Sequence, residues 1–161
     1  MGATDMEKLK LLQMLDSSND LDIQLKGIII ASSLKDLSPF IQPMEPQCNK
    51  NVWENCAKIV AHKTDAELSP YLYKLLEWIQ DLNWPGAFII IERLKKTNGF
   101  LLANPYQKAV LNALKMPADS REWLDNLSIL IENTDMANRI DGELLNILKQ
   151  VYGSFWEQDV R

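Results

Sequence analysis

Histidine occurs once in this 161-residue chain, at His62, and cysteine twice, at Cys48 and Cys56. A single histidine excludes a His-rich zinc site and the HExxH arrangement, and two thiols eight residues apart lack the close pairs that a Cys-based zinc site requires. Two thiols do not make the disulfide framework of a small secreted protein, so both are read as reduced. Glycine is also scarce, at six residues, and no GxGxxG, P-loop or GxSxG pattern occurs. The expectation is a chain with no catalytic residues, no cofactor and no metal.

Long apolar runs are missing as well. The longest, Trp84 to Ile91, falls far short of the ~20 residues needed to span a bilayer. The N-terminal "MGATDMEKLK" has no apolar signal segment, and Met6 stands where myristoylation after Gly2 wants Ser or Thr, so a cytoplasmic location is expected. There is no basic excess: 17 Lys and Arg face 22 Asp and Glu, for a net charge of -5 and a pI near 4.9. Clustered cations supply most affinity for phosphates, so neither nucleic acid nor an anionic membrane is an expected partner. A basic or neutral protein fits better.

What is present specifies helices. Thr4 with Glu7, Asn51 with Glu54, Asn104 with Gln107 and Asp119 with Glu122 each set a capping oxygen three residues before a Glu or Gln that can reach back to the cap amide. Ser69-Pro70 and Asn104-Pro105 add proline at a first helical position. Gly99, Pro117 and Gly153 mark stops, the first two just beyond lysines. Between these signals apolar residues recur at helical spacing, as in Val52, Cys56, Ile59, Val60 and in Leu72, Leu75, Leu76, Ile79. The stretches "GIIIA" (27 to 31) and "AFIII" (87 to 91) are β-branched, but each continues at helical spacing and no third strand candidate exists. Their apolarity on nearly every side suggests helices packed between neighbours.

An all-α single domain over 1–161 with about eight helices follows. Cap positions at Asn51, Asn83 and Asp119 are spaced by 32 and 36 residues, and those at Ser69, Asn104 and Asp141 by 35 and 37. A period in the mid-thirties filled by antiparallel helix pairs reads as a short α-solenoid of HEAT-like hairpins. The layout is an N-terminal helical pair (1–35), a proline-containing loop (36–50), three hairpins (51–152) and a C-terminal tail (153–161). In that tail Phe155 and Trp156 are candidates to cap the last repeat or to meet another chain.

His62 falls off the stripe that holds Cys56, so a solvated histidine and a core cysteine are expected rather than a base and a nucleophile. Glu77 and Asp81, at i, i+4, read as a solvated face more than as a proton-sharing pair. On the helix from Pro70, Trp78 joins the apolar flank, while Tyr73, Glu77 and Asp81 fall on the other side. Tyr73 is an outward aromatic beside two carboxylates, and aromatics are enriched in interfaces. Tyr73, Glu77 and Asp81 are therefore the candidate protein-binding face. Asn83, Trp84 and Pro85 are explained as a helix-to-helix corner, with Asn83 the cap of the helix that Trp84 and Pro85 open.

"LLEWIQDLNWPGA" (75 to 87) followed by "ADSREWLDNLSILIE" (118 to 132) resembles the bacterial domain-of-unknown-function family 5071, over about residues 50 to 135. Trp78, Asn83, Trp84, Pro85 and Trp123 carry the resemblance. The sequence departs from the pattern at Gly86, where a larger aliphatic residue is expected, and at Ser120-Arg121. The resemblance implies a HEAT-like helical protein and no established activity, cofactor or catalytic residue. By analogy with small acidic helical proteins, the expected role is a non-enzymatic protein-binding module, an immunity protein neutralising a cognate toxin that is basic. The alternatives are a structural subunit of a larger assembly or a helical-repeat enzyme acting on nucleic acid. Oligomeric state is left open by the sequence.

Overall fold

The computed structural model describes residues 4–44 and 49–159, with side chains described through residue 154. Cys48 and the N-terminal Met1 to Ala3 lie outside the described residues. Among those described there is no strand. The α-helices are α1 (Asp5–Met14), α2 (Leu21–Ser32), α3 (Trp53–Ala61), α4 (Asp65–Leu68), α5 (Leu72–Trp78), α6 (Ala87–Lys95), α7 (Gly99–Leu114), α8 (Glu122–Ile129), α9 (Thr134–Ala137) and α10 (Gly142–Asp159). Both β-branched stretches are helical, in α2 and α6. No helix is long and apolar enough to cross a membrane.

Some helix starts follow the sequence signals and others do not. Thr4 and Glu7 form the reciprocal capping box at α1, and Asp141 Oδ2 accepts the amides of Glu143 and Leu144 at α10. Asn51 and Asp119 form no cap. Short 3-10 turns, Lys50–Val52 and Ala118–Ser120, precede α3 and α8 instead, and Asn49 caps the first of them. Asn104 and Pro105 lie inside α7, which starts at Gly99 because the Asn98 side chain accepts the amides of Phe100 and Leu101. A capping box at Thr64 and Glu67, which the sequence reading passed over, opens the one-turn α4. Nor does Gly153 stop α10. The helix runs on to Asp159, so the expected tail is helical there and Phe155 and Trp156 lie on it, their side chains outside those described.

The core is one contiguous cluster. Helix α3 packs chiefly on α6, α5 on α7, and α8 on α10, while α2 joins α1 to α3. The proline-containing loop enters this core, because Leu37, Phe40, Ile41 and Gln42 are buried and the turn Ser38–Phe40 packs on α3. Lys8 Nζ ties α1 to the same loop at 2.8 Å from Asp36 Oδ2. Side chains from later helices also meet the ends of earlier ones. Asn55 Nδ2 donates to Leu15 O at 2.8 Å, Asn126 Nδ2 to Ile79 O at 2.8 Å, and Asn133 Nδ2 to Thr97 O at 2.8 Å. Lys63 Nζ reaches Ser32 O at 2.7 Å and Arg93 Nη2 reaches Lys63 O at 2.9 Å. Carbonyls at and just beyond a helix C-terminus lack intrahelical partners, and these donors pair with them directly.

The stretch between α5 and α6 turns on Gly86, the one described residue with a left-handed backbone, at φ 81°. A Cβ there would stand 2.6 Å from Ala57 Cβ and 3.2 Å from the Trp78 ring. Glycine is therefore required, and the larger aliphatic residue expected from the family pattern would not fit this turn. The helix begins at Ala87 with Gly86 as its cap residue, so Asn83 does not cap it. Exposed Asn83 donates its amide to Asp81 Oδ1 at 2.8 Å, an Asx turn. Trp78 is fully buried and donates Nε1 to Pro85 O at 3.1 Å. Trp53, which the sequence reading did not single out, stands edge-on to Trp78 at 6.1 Å and to Trp84 at 5.5 Å. Such pairs add about 0.5–1.5 kcal/mol each beyond burial.

Two substitutions test these constraints. Gly86→Ala combines a left-handed conformation with a clash against Ala57 and should lower unfolding stability by about 2–4 kcal/mol in urea titrations. Gly153→Ala has open space around it in α10 and should raise stability by up to about 1 kcal/mol. In Asp36, the hydrogen bond from Lys8 and those from Ser38 pull the carboxyl from its ordinary 3.8 to about 2. A depressed folded value means stabilisation present above pH 3.8 and lost as pH falls through about 2. The stability gap between the wild type and Asp36→Asn should therefore be constant above about pH 5 and close toward pH 2.

Candidate functional site

Helices α5 and α7 lie side by side, and their outer surface carries the face the sequence singles out. Tyr73 is half-buried rather than projecting freely. Its hydroxyl accepts a hydrogen bond from Asn112 Nδ2 at 2.7 Å, and Lys108 Nζ sits 4.6 Å from the centre of its ring. Lys108 and Asn112, at i, i+4 on α7, thus hold the ring from one side of the helix pair. The arrangement presets the orientation of Tyr73.

The other two residues of the expected face have different surroundings. Glu77 sits one turn beyond Tyr73 on α5, 3.7 Å from Lys74 Nζ, and remains partly exposed. Asp81 is committed to the Asx turn after α5, so its carboxylate is occupied by the Asn83 amide. The surface is better described as Tyr73, Lys74 and Glu77 from α5 with Lys108 and Leu111 from α7 and Lys115 at its C-terminal cap. Leu111 is a large apolar side chain left exposed among these charges. Nothing in the helical periodicity that placed Tyr73 outward could have located Asn112, because the contact spans 39 residues.

The family-motif residues serve the interior. Trp123 is buried and donates Nε1 to Leu76 O at 2.9 Å, while Asn126 on the same helix takes the carbonyls of Ile79 and Gln80. Helix α8 therefore closes the C-terminal end of α5. Trp84 is half-buried, with Lys50 Nζ 5.8 Å from its ring centre and 5.7 Å from that of Trp53. Trp78, Trp84, Pro85 and Trp123 come together around α5, and Asn83 alone stays on the surface.

Titratable groups in the body of the fold are occupied structurally. Cys56 is fully buried, and burial pushes its thiol up to about 12, against a smaller downward pull from the Gln42 side chain. His62 is exposed and its Nδ1 lies 2.8 Å from Lys58 O, so it does not address Cys56. Burial pushes the Asp65 carboxyl up, but Arg93 at 2.7 Å and the Asn98 amide at 3.0 Å outweigh it and leave the group below the ordinary carboxylate value. Asp135 mirrors this arrangement by accepting the Gly99 amide at 2.8 Å, which holds its carboxyl low. Among the described residues no group of three or more His, Cys, Asp or Glu is placed to hold a metal ion.

The family model described as "Domain of unknown function (DUF5071)" matches residues 49–159, more than half of the chain, and the chain belongs to that family. The match takes in α3 through α10, further toward the C-terminus than the motif residues reach. Helices α1 and α2 and the loop after them precede it. Comparison with curated proteins and comparison with solved structures each found no match.

The thiol geometry predicts the reactivity of Cys56. In a Cys48→Ser variant, alkylation by iodoacetamide at pH 8 should be negligible in the folded protein and complete in 6 M guanidinium. Rapid modification of the native variant would contradict both the burial and the raised thiol value.

Proposed function

We propose that this chain is a non-enzymatic protein-binding module built as a short solenoid of HEAT-like helical hairpins, and that the α5–α7 surface docks its partner. The packing of α3 on α6 and of α5 on α7 supports the reading, since like-with-like stacking of first and second helices is how such repeats pile up. The observation that carries it is Tyr73, an aromatic held in place by Asn112 and Lys108 and flanked by exposed Leu111, Lys74 and Glu77. A rigid aromatic with an apolar neighbour inside a ring of mixed charge is the composition of a protein-binding hot spot. The net charge of -5 favours a basic partner through faster, steered association. An immunity protein that neutralises a toxin encoded beside it fits these features.

The test is co-expression with the product of each neighbouring gene, followed by affinity measurement on the purified pair. Replacing Glu77→Lys together with Leu111→Asp should weaken binding by at least about 2 kcal/mol, roughly thirtyfold in Kd. Tyr73→Ala should have a comparable effect. Tyr73→Phe, which drops only the hydroxyl bond to Asn112, should cost about 1 kcal/mol of stability and weaken binding less than Tyr73→Ala does. Unchanged binding by the double variant would place the docking face elsewhere. A neighbouring toxin that fails to bind the wild-type chain would rule out the immunity role.

A further inference from the structure

Helix α2 is apolar around most of its circumference, yet only Gly27 and Ala31 on its inner side are buried. Its outer surface carries Leu21, Leu25 and Ile29, exposed to 67%, 48% and 71%. Residues four apart line up along one side of a helix, so these three form a continuous apolar stripe. Asp22 and Lys26 run beside it on the same flank, also four apart and both exposed. The sequence pattern suggested a helix enclosed by neighbours. Among the described residues only α1 and α3 pack extensively on it, and the stripe faces outward.

We propose that the α2 stripe is a two-fold dimerisation surface whose occupant is α2 of a second copy, running antiparallel. The register is self-complementary. With 1.5 Å of rise per residue, a two-fold axis crossing α2 at the level of Gln24 interleaves Leu21, Leu25 and Ile29 with the same residues of the second copy at about 3 Å intervals. The same axis sets Asp22 level with Lys26 of the other copy, and it does so twice. Side chains on one flank stay on one flank under a two-fold axis perpendicular to the helices, so both opposite-charge pairs lie along the same edge of the apolar seam. The antiparallel helix dipoles also oppose each other favourably.

The size of the surface fits a second copy. The stripe, its flanking aliphatic stems and the adjoining half-buried Ile28 present on the order of 500 Å² per copy, the upper range for one apolar patch on a monomer. Two such faces together reach about 1,000 Å², the lower bound for a specific interface and the size of a reversible dimer. Helix α2 precedes the family-matched residues 49–159 and does not pack extensively on α5 or α7, so the dimer does not depend on the proposed partner face.

Sedimentation velocity of the full chain from about 1 to 200 µM tests this, a range that brackets a micromolar Kd. The wild type should pass from monomer to dimer, and Leu25→Asp should remain monomeric with unchanged helical circular dichroism. Asp22→Lys and Lys26→Asp should each weaken self-association by roughly tenfold or more, because each places like charges opposite one another twice. An equimolar mixture of the two should associate as tightly as the wild type, since every cross-copy pair is then of opposite sign. That rescue leaves the charges within each helix as they were in the single variants. A wild type that stays monomeric overturns the proposal, and floating with vesicles of phosphatidylcholine and phosphatidylglycerol would then assign the stripe to lipid. A dimer indifferent to Leu25→Asp, or a mixture without rescue, overturns it equally.

Discussion

Helix ends are expensive to bury, and this chain buries several. Carbonyls at or just beyond the ends of α1, α2, α3, α5 and α6 each accept a hydrogen bond from a side chain that arrives from another part of the fold: Asn55, Lys63, Arg93, Asn126 and Asn133. An unpaired buried carbonyl costs about 1–3 kcal/mol, so the helices cannot slide past one another without exposing that cost. The pattern has a direction, because each donor lies later in the chain than the helix end it closes. Asp65 and Asp135 complete it from either side of the loop before α7, taking the amides of Asn98 and Gly99. Relative placement of the helices is thus set by polar atoms at their ends as much as by apolar side chains between them.

The tryptophan cluster depends on the same principle. Trp78 and Trp123 bury their rings and direct their indole N-H groups to the carbonyls of Pro85 and Leu76. Gly86 makes the first of these bonds possible by turning the backbone through the left-handed region beneath Trp78. Trp53 is the exception, because its Nε1 is buried with no hydrogen-bond partner among the described residues. Its two edge-to-face contacts and the close cation of Lys50 offset that loss. The family motif is therefore a packing device.

Two surfaces differ in kind. On the α5–α7 side polar groups are paired with one another, as in the Tyr73, Asn112 and Lys108 arrangement and the Lys74–Glu77 pair. On α2 the exposed stripe of Leu21, Leu25 and Ile29 is apolar, with Asp22 and Lys26 exposed beside it. A preorganised polar face suits selective binding, whereas an apolar stripe with matched flanking charges suits association with itself. Helix α2 sits outside the part of the chain shared with the family, and α5 and α7 sit inside it.

Local chemistry determined a good deal by itself. Periodicity of leucine and isoleucine sets the helices, the Thr4 box and Asp141 set two of their starts, and the apolar neighbours of Cys56 and Trp78 set their burial, because each effect acts within a few residues. The motif around Trp78 was enough to identify the family. Tertiary structure alone decided the rest. Asn104 reads as a cap but lies within α7, since Asn98 caps the helix six residues earlier and packing around Tyr106 carries it through Pro105. Asp81 reads as a free carboxylate but closes a turn whose shape is dictated by Gly86 against Ala57 and Trp78. Helix α2 reads as enclosed but is not, because apolarity says that a surface favours burial and cannot say which surface of the folded chain, or of another copy, will cover it.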